Sequence, residues 1–148
     1  MGSKRLAKEC KNLAEEDLGW ASAEPQEDDI YKWAASIAGP EGSPYEEGVF
    51  NLVMVFPEAY PFKPPDVRFT TMIYHPNVKK DTGEICADII KEDWKPSHDI
   101  KWILNVLRNL MVEPSTDSPL EPEIAQLYQT DRAAYDAKAR EFTAKFAT

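Results

Sequence analysis

Three segments of alternating apolar and polar residues lie close together in the first half of the chain, and they limit most strongly the folds open to it. The segments are residues 31–37, 50–56 and 67–71, and each alternates with the period of a strand. Only short connections rich in glycine and proline separate them, too short for the crossover between parallel strands. The sequence therefore predicts an antiparallel meander and excludes a parallel, doubly wound sheet.

Helical patterns lie before and after these strands. Apolar residues recur at helical spacing from Leu6 to Ala14, and a strongly apolar helix is predicted over residues 103–111 with Asp99 as its N-cap. A short helix over residues 123–128 and a longer amphipathic helix over residues 135–146 follow. The 148 residues have the usual size of one domain, and no linker or repeat divides them, so a single domain over residues 1–148 is expected.

The composition excludes several classes of function. A net charge of −9 argues against nucleic acid as the main partner. No apolar run reaches the roughly 18 residues that span a membrane, and the N-terminus lacks the apolar stretch of a secretory signal. The two cysteines form no disulfide framework, and neither a CxxC pair nor a histidine pair at ligand spacing predicts a metal site. We therefore expect a reducing compartment, the cytoplasm, the nucleus or both.

One long segment, residues 74–97, has no sustained period, and such segments inside a domain are more often functional than not. Within it, Cys86 lies nine residues after Asn77. A thiolate is both a good nucleophile and a good leaving group, and a carboxamide can donate a hydrogen bond to the oxyanion that forms on an acyl group. The pair therefore suits a cysteine that carries an acyl group as a thioester.

The residues around this pair also have simpler structural interpretations. A lone cysteine is more often structural than catalytic, and His75 is better explained as shaping its turn than as a base. An amine that attacks a thioester must lose a proton, because a free lysine has a pKa of about 10.4. Asp88 or Asp117 could assist that loss, unless each only forms a turn. The other cysteine, Cys10, falls on the apolar stripe of the first helix and is expected to pack there.

Two surface features suggest protein partners. The first helix carries a basic cluster, formed by Lys4, Arg5, Lys8 and Lys11. This cluster is either a solvated face or a docking face for an acidic protein. Three prolines within residues 60–65 make a stiff loop, in which Phe62 is either held outward or packed inward.

Several motifs taken together resemble the catalytic core of ubiquitin-conjugating enzymes along essentially the whole chain. The matching stretches are residues 60–65, Tyr74-His75-Pro76-Asn77, Gly83-Glu84-Ile85-Cys86, Trp94 with Pro96, Pro119-Leu120, and residues 128–132. The resemblance implies an α+β fold with an N-terminal helix, a four-stranded antiparallel meander and three further helices. It therefore adds a fourth strand to the three that alternation reveals.

The resemblance also implies an activity. Cys86 would accept ubiquitin from the activating enzyme as a thioester and pass it to a substrate lysine or a ligase cysteine, in a pathway that serves protein degradation. ATP binding is expected of this pathway, with ATP consumed upstream by the activating enzyme and no cofactor held tightly here. The expected partners of this monomer are ubiquitin, the activating enzyme, RING- or HECT-type ligases and substrate proteins. The alternatives are a carrier of another ubiquitin-like modifier and a non-catalytic ubiquitin-binding scaffold.

The same resemblance implies roles for individual residues. The catalytic set is Cys86, Asn77, Asp88, Asp117 and Ser118, and the loop-organising set is Tyr74, His75 and Pro76. The surface that meets the activating enzyme and the ligases comprises Lys4, Arg5, Lys8, Phe62, Trp94, Lys95, Pro96, Ser97 and Asn105. Ser22 falls where some members bind a second ubiquitin on the back of the sheet.

The chain departs from broad-specificity members of that family at four places. The loop between Asn77 and Cys86 is one residue longer, which bears on whether the carboxamide reaches the thioester. Ala87 replaces a common leucine after the cysteine. Ser118 stands where a second aspartate is common, which bears on lysine activation, and Lys95 replaces a common serine, which bears on the choice of ligase.

Overall fold

The computed structural model describes residues 2–16, 18–117 and 119–148, in which five helices accompany one four-stranded sheet. In chain order the elements are α1 Gly2–Glu15, β1 Ala21–Gln26, β2 Asp29–Ala38, β3 Val49–Val55, β4 Asp66–Phe69, α2 Ala87–Ile90, α3 Ile100–Val112, α4 Pro122–Thr130 and α5 Arg132–Phe146. The arrangement confirms the expected α+β fold, with a first helix, a sheet and then the remaining helices.

The sheet is the predicted antiparallel meander, with strand order β1-β2-β3-β4. Trp33 lies opposite Met54, and Leu52 lies opposite Phe69, so large buried side chains meet on the inner face. The third predicted strand is shorter than its alternation suggests. β4 ends at Phe69. The N–H of Thr70 still donates to the carbonyl of Asn51, but the N–H of Asn51 donates to the hydroxyl of Thr71 at 2.9 Å, so the backbone ladder is not continued.

The strand that alternation does not reveal is β1. Its six residues include Pro25 and no large apolar side chain, and none of them is fully buried. β1 is an edge strand that pairs only with β2, and its register shifts between Pro25 and Gln26. Proline lacks the N–H that a central strand needs, so it is tolerated at such an edge.

Helix α3 carries much of the core. It begins directly after Asp99, whose carboxylate accepts the N–H of Trp102 at 2.9 Å, so the predicted N-cap is confirmed. Its side chains Ile103, Leu104 and Leu107 join the buried cluster that the inner face of the sheet supplies. α3 therefore shares one core with the inner face of the sheet.

Helix α2 adds one helix to the three expected after the sheet. It has only four residues and starts immediately after Cys86. One helical turn is too short to show a period, which explains why the pattern of residues 74–97 indicates only irregular chain.

Helix α1 packs against β1 and β2 at the N-terminal end of the fold. Cys10 is half-buried there and packs against the core, in line with its place on the apolar stripe. Within the described part of the chain, no helix is long and apolar enough to cross a bilayer.

Candidate active site

His75, Pro76 and Asn77 form a buried turn that hydrogen bonds fix on both sides. The backbone N–H of Asn77 donates to Nδ1 of His75 at 3.0 Å, and Nε2 of His75 lies 2.8 Å from the carbonyl oxygen of Leu110. Because Nδ1 accepts, the ring proton is assigned to Nε2, which donates to Leu110. Complete burial lowers the pKa of His75 to about 4. The ring is therefore neutral near pH 7, with both nitrogens engaged in holding the turn.

This buried histidine predicts a loss of stability in acid. Its pKa is about 4 in the folded protein against an ordinary value of 6.5, so the unfolded chain binds the proton more tightly. The stabilisation is complete above pH 6.5 and is lost as the pH falls from 6.5 towards 4. The full difference is about 3 kcal/mol in the free energy of unfolding.

Urea unfolding at pH 7 and pH 4.5 measures how the free energy of unfolding depends on pH in the wild-type protein and in His75→Gln. Unfolding of the variant should take up about one proton fewer than unfolding of the wild type, so its free energy of unfolding should change less between the two pH values. NMR titration gives a direct measurement that does not need the variant to fold. The His75 ring should remain neutral down to about pH 4. Titration of His75 near pH 6.5 would contradict the prediction.

Two backbone carbonyls attach the histidine turn to the rest of the molecule. The hydroxyl of Tyr45 donates to the carbonyl of Tyr74 at 2.6 Å. The carbonyl of Pro76 accepts the N–H groups of Leu120 and Glu121 at 2.9 and 3.1 Å. The turn is therefore bound both to the core and to the start of α4.

Asn77 connects the two segments that surround Cys86. Its own carbonyl accepts the N–H of Cys86 at 3.0 Å. Its buried carboxamide donates from Nδ2 to the carbonyl of Ser115 at 2.8 Å and accepts the N–H of Ser115 at 2.9 Å. Ser115 belongs to the connection between α3 and α4, here called the 113–121 loop. A carboxamide has two N–H donors, so this pairing leaves the second N–H of Nδ2 for another acceptor.

The chain between the asparagine and the cysteine forms a closed turn. Lys79 donates its N–H to the carbonyl of Glu84 at 2.9 Å, and Gly83 donates to the carbonyl of Lys79 at 2.8 Å. Gly83 has φ +75°, and a Cβ there would lie 1.9 Å from the carbonyl oxygen of Phe69, so only glycine fits. The turn therefore lies between the two residues whose backbones are joined by the hydrogen bond from Cys86 to Asn77.

Cys86 stands at the junction of this turn and α2. Its side chain is largely buried, with 7% of the residue exposed. It borders a small cavity of about 50 Å³ that is also lined by Pro65, Asp66 and Lys91. The cysteine is therefore largely enclosed and borders this small cavity.

The predicted acidic residues Asp88 and Asp117 are exposed on two different segments of the chain. Asp88 is exposed in the first turn of α2, where its charge raises the pKa of the neighbouring Glu92 carboxyl. Asp117 is exposed in the 113–121 loop, where its N–H lies 3.5 Å from Oγ of Ser115. Ser118 lies outside the described residues.

The basic residues predicted to meet partners do not all face solvent. Lys4 and Lys8 are exposed on α1, but Arg5 turns inward with 27% of its side chain exposed. Its guanidinium donates to the carbonyls of Pro96 and His98 at 3.1 and 2.6 Å. Arg5 therefore fastens α1 to the loop before α3, and its role towards partners stays a prediction.

A buried carboxylate explains the direction of Arg5. Glu9 is 6% exposed and accepts hydrogen bonds from Nε of Arg5 at 2.9 Å and from the N–H of Ile100, at the start of α3, at 2.7 Å. It also accepts the hydroxyl of Tyr60. Burial raises the pKa of Glu9, although these donors oppose that shift. A buried carboxylate needs such partners, so Arg5 is held inside.

The two predicted ligase-docking loops are joined to one another. Phe62 is 62% exposed, so the outward alternative is the one observed. Trp94 is half-buried, and its Nε1 donates to the carbonyl of Pro61 at 2.7 Å. The other residues of the second loop that were expected to contact partners are exposed, namely Lys95, Pro96 and Ser97.

Two further predicted contact residues lie away from these loops. Asn105 is exposed on α3, where its Nδ2 donates to the carbonyl of Lys101 at 2.9 Å. Ser22 is exposed on β1, and its hydroxyl lies 2.8 Å from that of Ser36 on β2. Both side chains remain accessible beside these hydrogen bonds.

Sequence reasoning did not single out Glu9, Ser115 or Glu121, although all three hold the site together. Only for Glu9 did the sequence contain a feature that could have predicted this role. Glu9 lies three residues after Leu6 on the apolar stripe of the first helix. A carboxylate on such a stripe indicates a buried, partnered charge. In residues 2–16, 18–117 and 119–148, no group of three or more histidine, cysteine or acidic side chains could hold a metal ion.

Comparison with known proteins assigns the chain to a family. The family model for ubiquitin-conjugating enzymes matches residues 5–143. The chain belongs to the ubiquitin-conjugating enzyme family. It is 45% identical over 144 residues to ubiquitin conjugating enzyme E2 B of Dictyostelium discoideum, covering 97% of both chains.

Solved structures with the same fold support the assignment to ubiquitin-conjugating enzymes. A crystal structure of a candidate ubiquitin-conjugating enzyme from Plasmodium yoelii has a TM-score of 0.93 and 36% identity, covering 99% of this chain and 96% of that one. The E2 domain of a Toxoplasma gondii ubiquitin-conjugating enzyme has a TM-score of 0.91 and 36% identity over 100% of both chains. The likeness extends over the whole fold described above.

Membership defines the chemistry at the level of the family. Ubiquitin-conjugating enzymes are transferases that act through a cysteine thioester, and their partners are ubiquitin, an activating enzyme and ligases. Neither the scaffold nor the carrier of another modifier is favoured. Members of the family do not bind ATP themselves and need no tightly bound cofactor, so the expectation of ATP binding does not apply to this chain.

Proposed function

We propose that Cys86 is the residue that carries ubiquitin, within a single catalytic core formed by residues 1–148. The observation that carries this proposal is the position of Asn77, whose carbonyl holds the N–H of Cys86 while its carboxamide holds Ser115. The chain offers one other cysteine, Cys10, which packs against the core in α1, away from this arrangement.

In this proposal, the exposed aspartates attract the attacking lysine and accept a proton from its amine. Asp88 and Asp117 lie on the two segments beside Cys86, α2 and the 113–121 loop. Carboxylates beside a thioester favour the approach of a lysine, and one of them can take the proton that the amine releases. Ser118 is proposed to contribute polarity at the same loop, where an aspartate is common in the family. The products are an isopeptide bond to the lysine and a restored Cys86 thiol.

The exposed residues of α1 and of the two tethered loops form the proposed docking surface for the activating enzyme and for RING- or HECT-type ligases. Phe62 supplies an apolar anchor, because its ring is largely exposed while its loop is held by the hydrogen bond of Trp94. Lys4 and Lys8 on α1 and Lys95 on the second loop are exposed and add positive charge, which favours acidic partners. Arg5 acts from behind this surface by holding the carbonyls of Pro96 and His98.

The remaining assignments stay proposals from the family resemblance. Asn105 would connect the docking surface to the ubiquitin carried on Cys86, and Ser22 would face a second ubiquitin on the back of the sheet. The enzyme would act as a monomer in the cytoplasm, the nucleus or both, as the sequence predicts.

A charging assay tests the proposed function. The purified chain, incubated with a ubiquitin-activating enzyme, ATP and ubiquitin, should gain one ubiquitin that thiol reductants remove, because a thioester exchanges with free thiols. Omitting ATP provides the control, since ATP drives only the upstream step. The same assay with other ubiquitin-like modifiers and their activating enzymes should give slower charging. No reducible adduct with ubiquitin would contradict the function.

A further inference from the structure

Glu121 contacts both ends of the turn that contains Asn77. Its backbone N–H donates to the carbonyl of Pro76 at 3.1 Å, and its Oε2 accepts the backbone N–H of Lys80 at 2.9 Å. Residues 76 and 80 are the first and last residues of this five-residue segment, here called the 76–80 turn. One residue of the 113–121 loop therefore holds the segment that presents the Asn77 carboxamide to the site.

The carboxylate of Glu121 binds the 76–80 turn and does not cap its own helix, α4. Glu121 is the N-cap residue of α4, where side chains commonly accept an N–H of the first helical turn. The structure shows no side-chain capping bond at this position. Pro122 follows at the first helical position and has no N–H to be satisfied there. The carboxylate is thus directed away from α4 and towards the loop before Cys86.

The position of the bond connects it with the closed turn before Cys86. Lys80 lies in this turn, which the two hydrogen bonds of Lys79 close. The Lys79 bonds fix the base of this turn, and the Glu121 carboxylate fixes the N–H next to it. The ammonium of Lys80 lies 5.9 Å from the ring centre of Tyr74, so the bond to Glu121 uses the backbone and not the lysine charge.

We propose that Glu121 is a positioning residue for ubiquitin transfer, which fixes the 76–80 turn and, through it, Asn77 and the N–H of Cys86. The inference rests on the proposed function of Cys86. Reacting groups must be held close to the geometry of attack, so a looser turn slows transfer even when every catalytic side chain remains. Glu121 itself need not touch the thioester or the incoming amine.

The test compares three variants in single-turnover discharge of the Cys86 thioester to free lysine. Glu121→Ala removes the acceptor and should lower the maximal rate about five-fold, which corresponds to one net hydrogen bond, with the half-saturating lysine concentration unchanged. Glu121→Gln keeps an acceptor oxygen and should restore the rate. Lys80→Ala keeps the backbone N–H and should behave as the wild type. Amide exchange at Lys80 should be faster in Glu121→Ala alone.

The outcomes separate this inference from the function on which it rests. Absence of charging in the wild-type protein would overturn the proposed function. Normal charging together with wild-type discharge by Glu121→Ala would overturn only the positioning role. Equal losses in Glu121→Ala and Glu121→Gln would also overturn it, because they would trace the effect to the charge. A parallel loss of charging and a lowered Tm in Glu121→Ala would show a general folding role instead.

Discussion

Replacing Cys86 by alanine should abolish the ubiquitin adduct completely, because no other group in the site can form a thioester. Cys86→Ser should retain a slowly formed adduct, now an oxyester, which resists thiol reductants. Both variants should fold, since each replaces one largely buried side chain by another of similar or smaller size. Gel electrophoresis with and without reductant distinguishes the reducible thioester of the wild type, the resistant oxyester of Cys86→Ser and the absence of an adduct in Cys86→Ala.

Cys10→Ala is the matched control for that experiment, because it removes the other thiol of the chain from a half-buried position. It should charge at the wild-type rate. Loss of the adduct in Cys10→Ala together with its retention in Cys86→Ala would assign the thioester to α1 and would contradict the proposed site.

Replacing Asn77 by alanine should slow discharge to free lysine by about 100-fold or more, the usual cost of removing one oxyanion donor. Charging should fall much less. The variant also loses two hydrogen bonds to the backbone of Ser115, which should lower the free energy of unfolding by about 1–3 kcal/mol. Single-turnover charging and discharge rates, with urea unfolding alongside, measure these effects separately.

Asn77→Asp is the informative companion variant. An aspartate keeps an acceptor for the N–H of Ser115 but cannot donate to its carbonyl or to an oxyanion when ionised. Discharge should therefore be as slow as in the alanine variant. Equal slowing of charging and discharge in both variants would show that Asn77 only organises the loop through its hydrogen bonds to Ser115 and does not stabilise an oxyanion.

The parts of this fold with a strong local signal could be predicted from the sequence. β2 and β3 alternate large apolar residues, and α3 has a continuous apolar stripe with a capping aspartate before it, so period and chemistry agree. β1 and α2 lack such a signal. The first is an edge strand of small and polar residues, and the second has four residues. Only the resemblance to a family predicted β1, and nothing predicted α2.

The candidate site shows the same division. Asn77 and Cys86 could be chosen from their residue types and spacing, because thioester chemistry needs few groups. Glu9 and Glu121 could not, because their roles depend on atoms distant in the sequence. Glu9 binds the N–H of Ile100, 91 residues later, and Glu121 binds the N–H of Lys80, 41 residues earlier. The inward direction of Arg5 likewise follows from the buried carboxylate of Glu9, which the sequence pattern did not single out.

The hydrogen bonds of Glu9 have a consequence for recognition. They join α1, the loop of Tyr60 and the start of α3, which are three separate parts of the chain. A partner that meets these parts therefore encounters a surface already ordered before contact, and association loses little conformational entropy on this side. Exposed side chains such as Lys95 can then change between related enzymes and alter the choice of partner without altering the shape of the backbone.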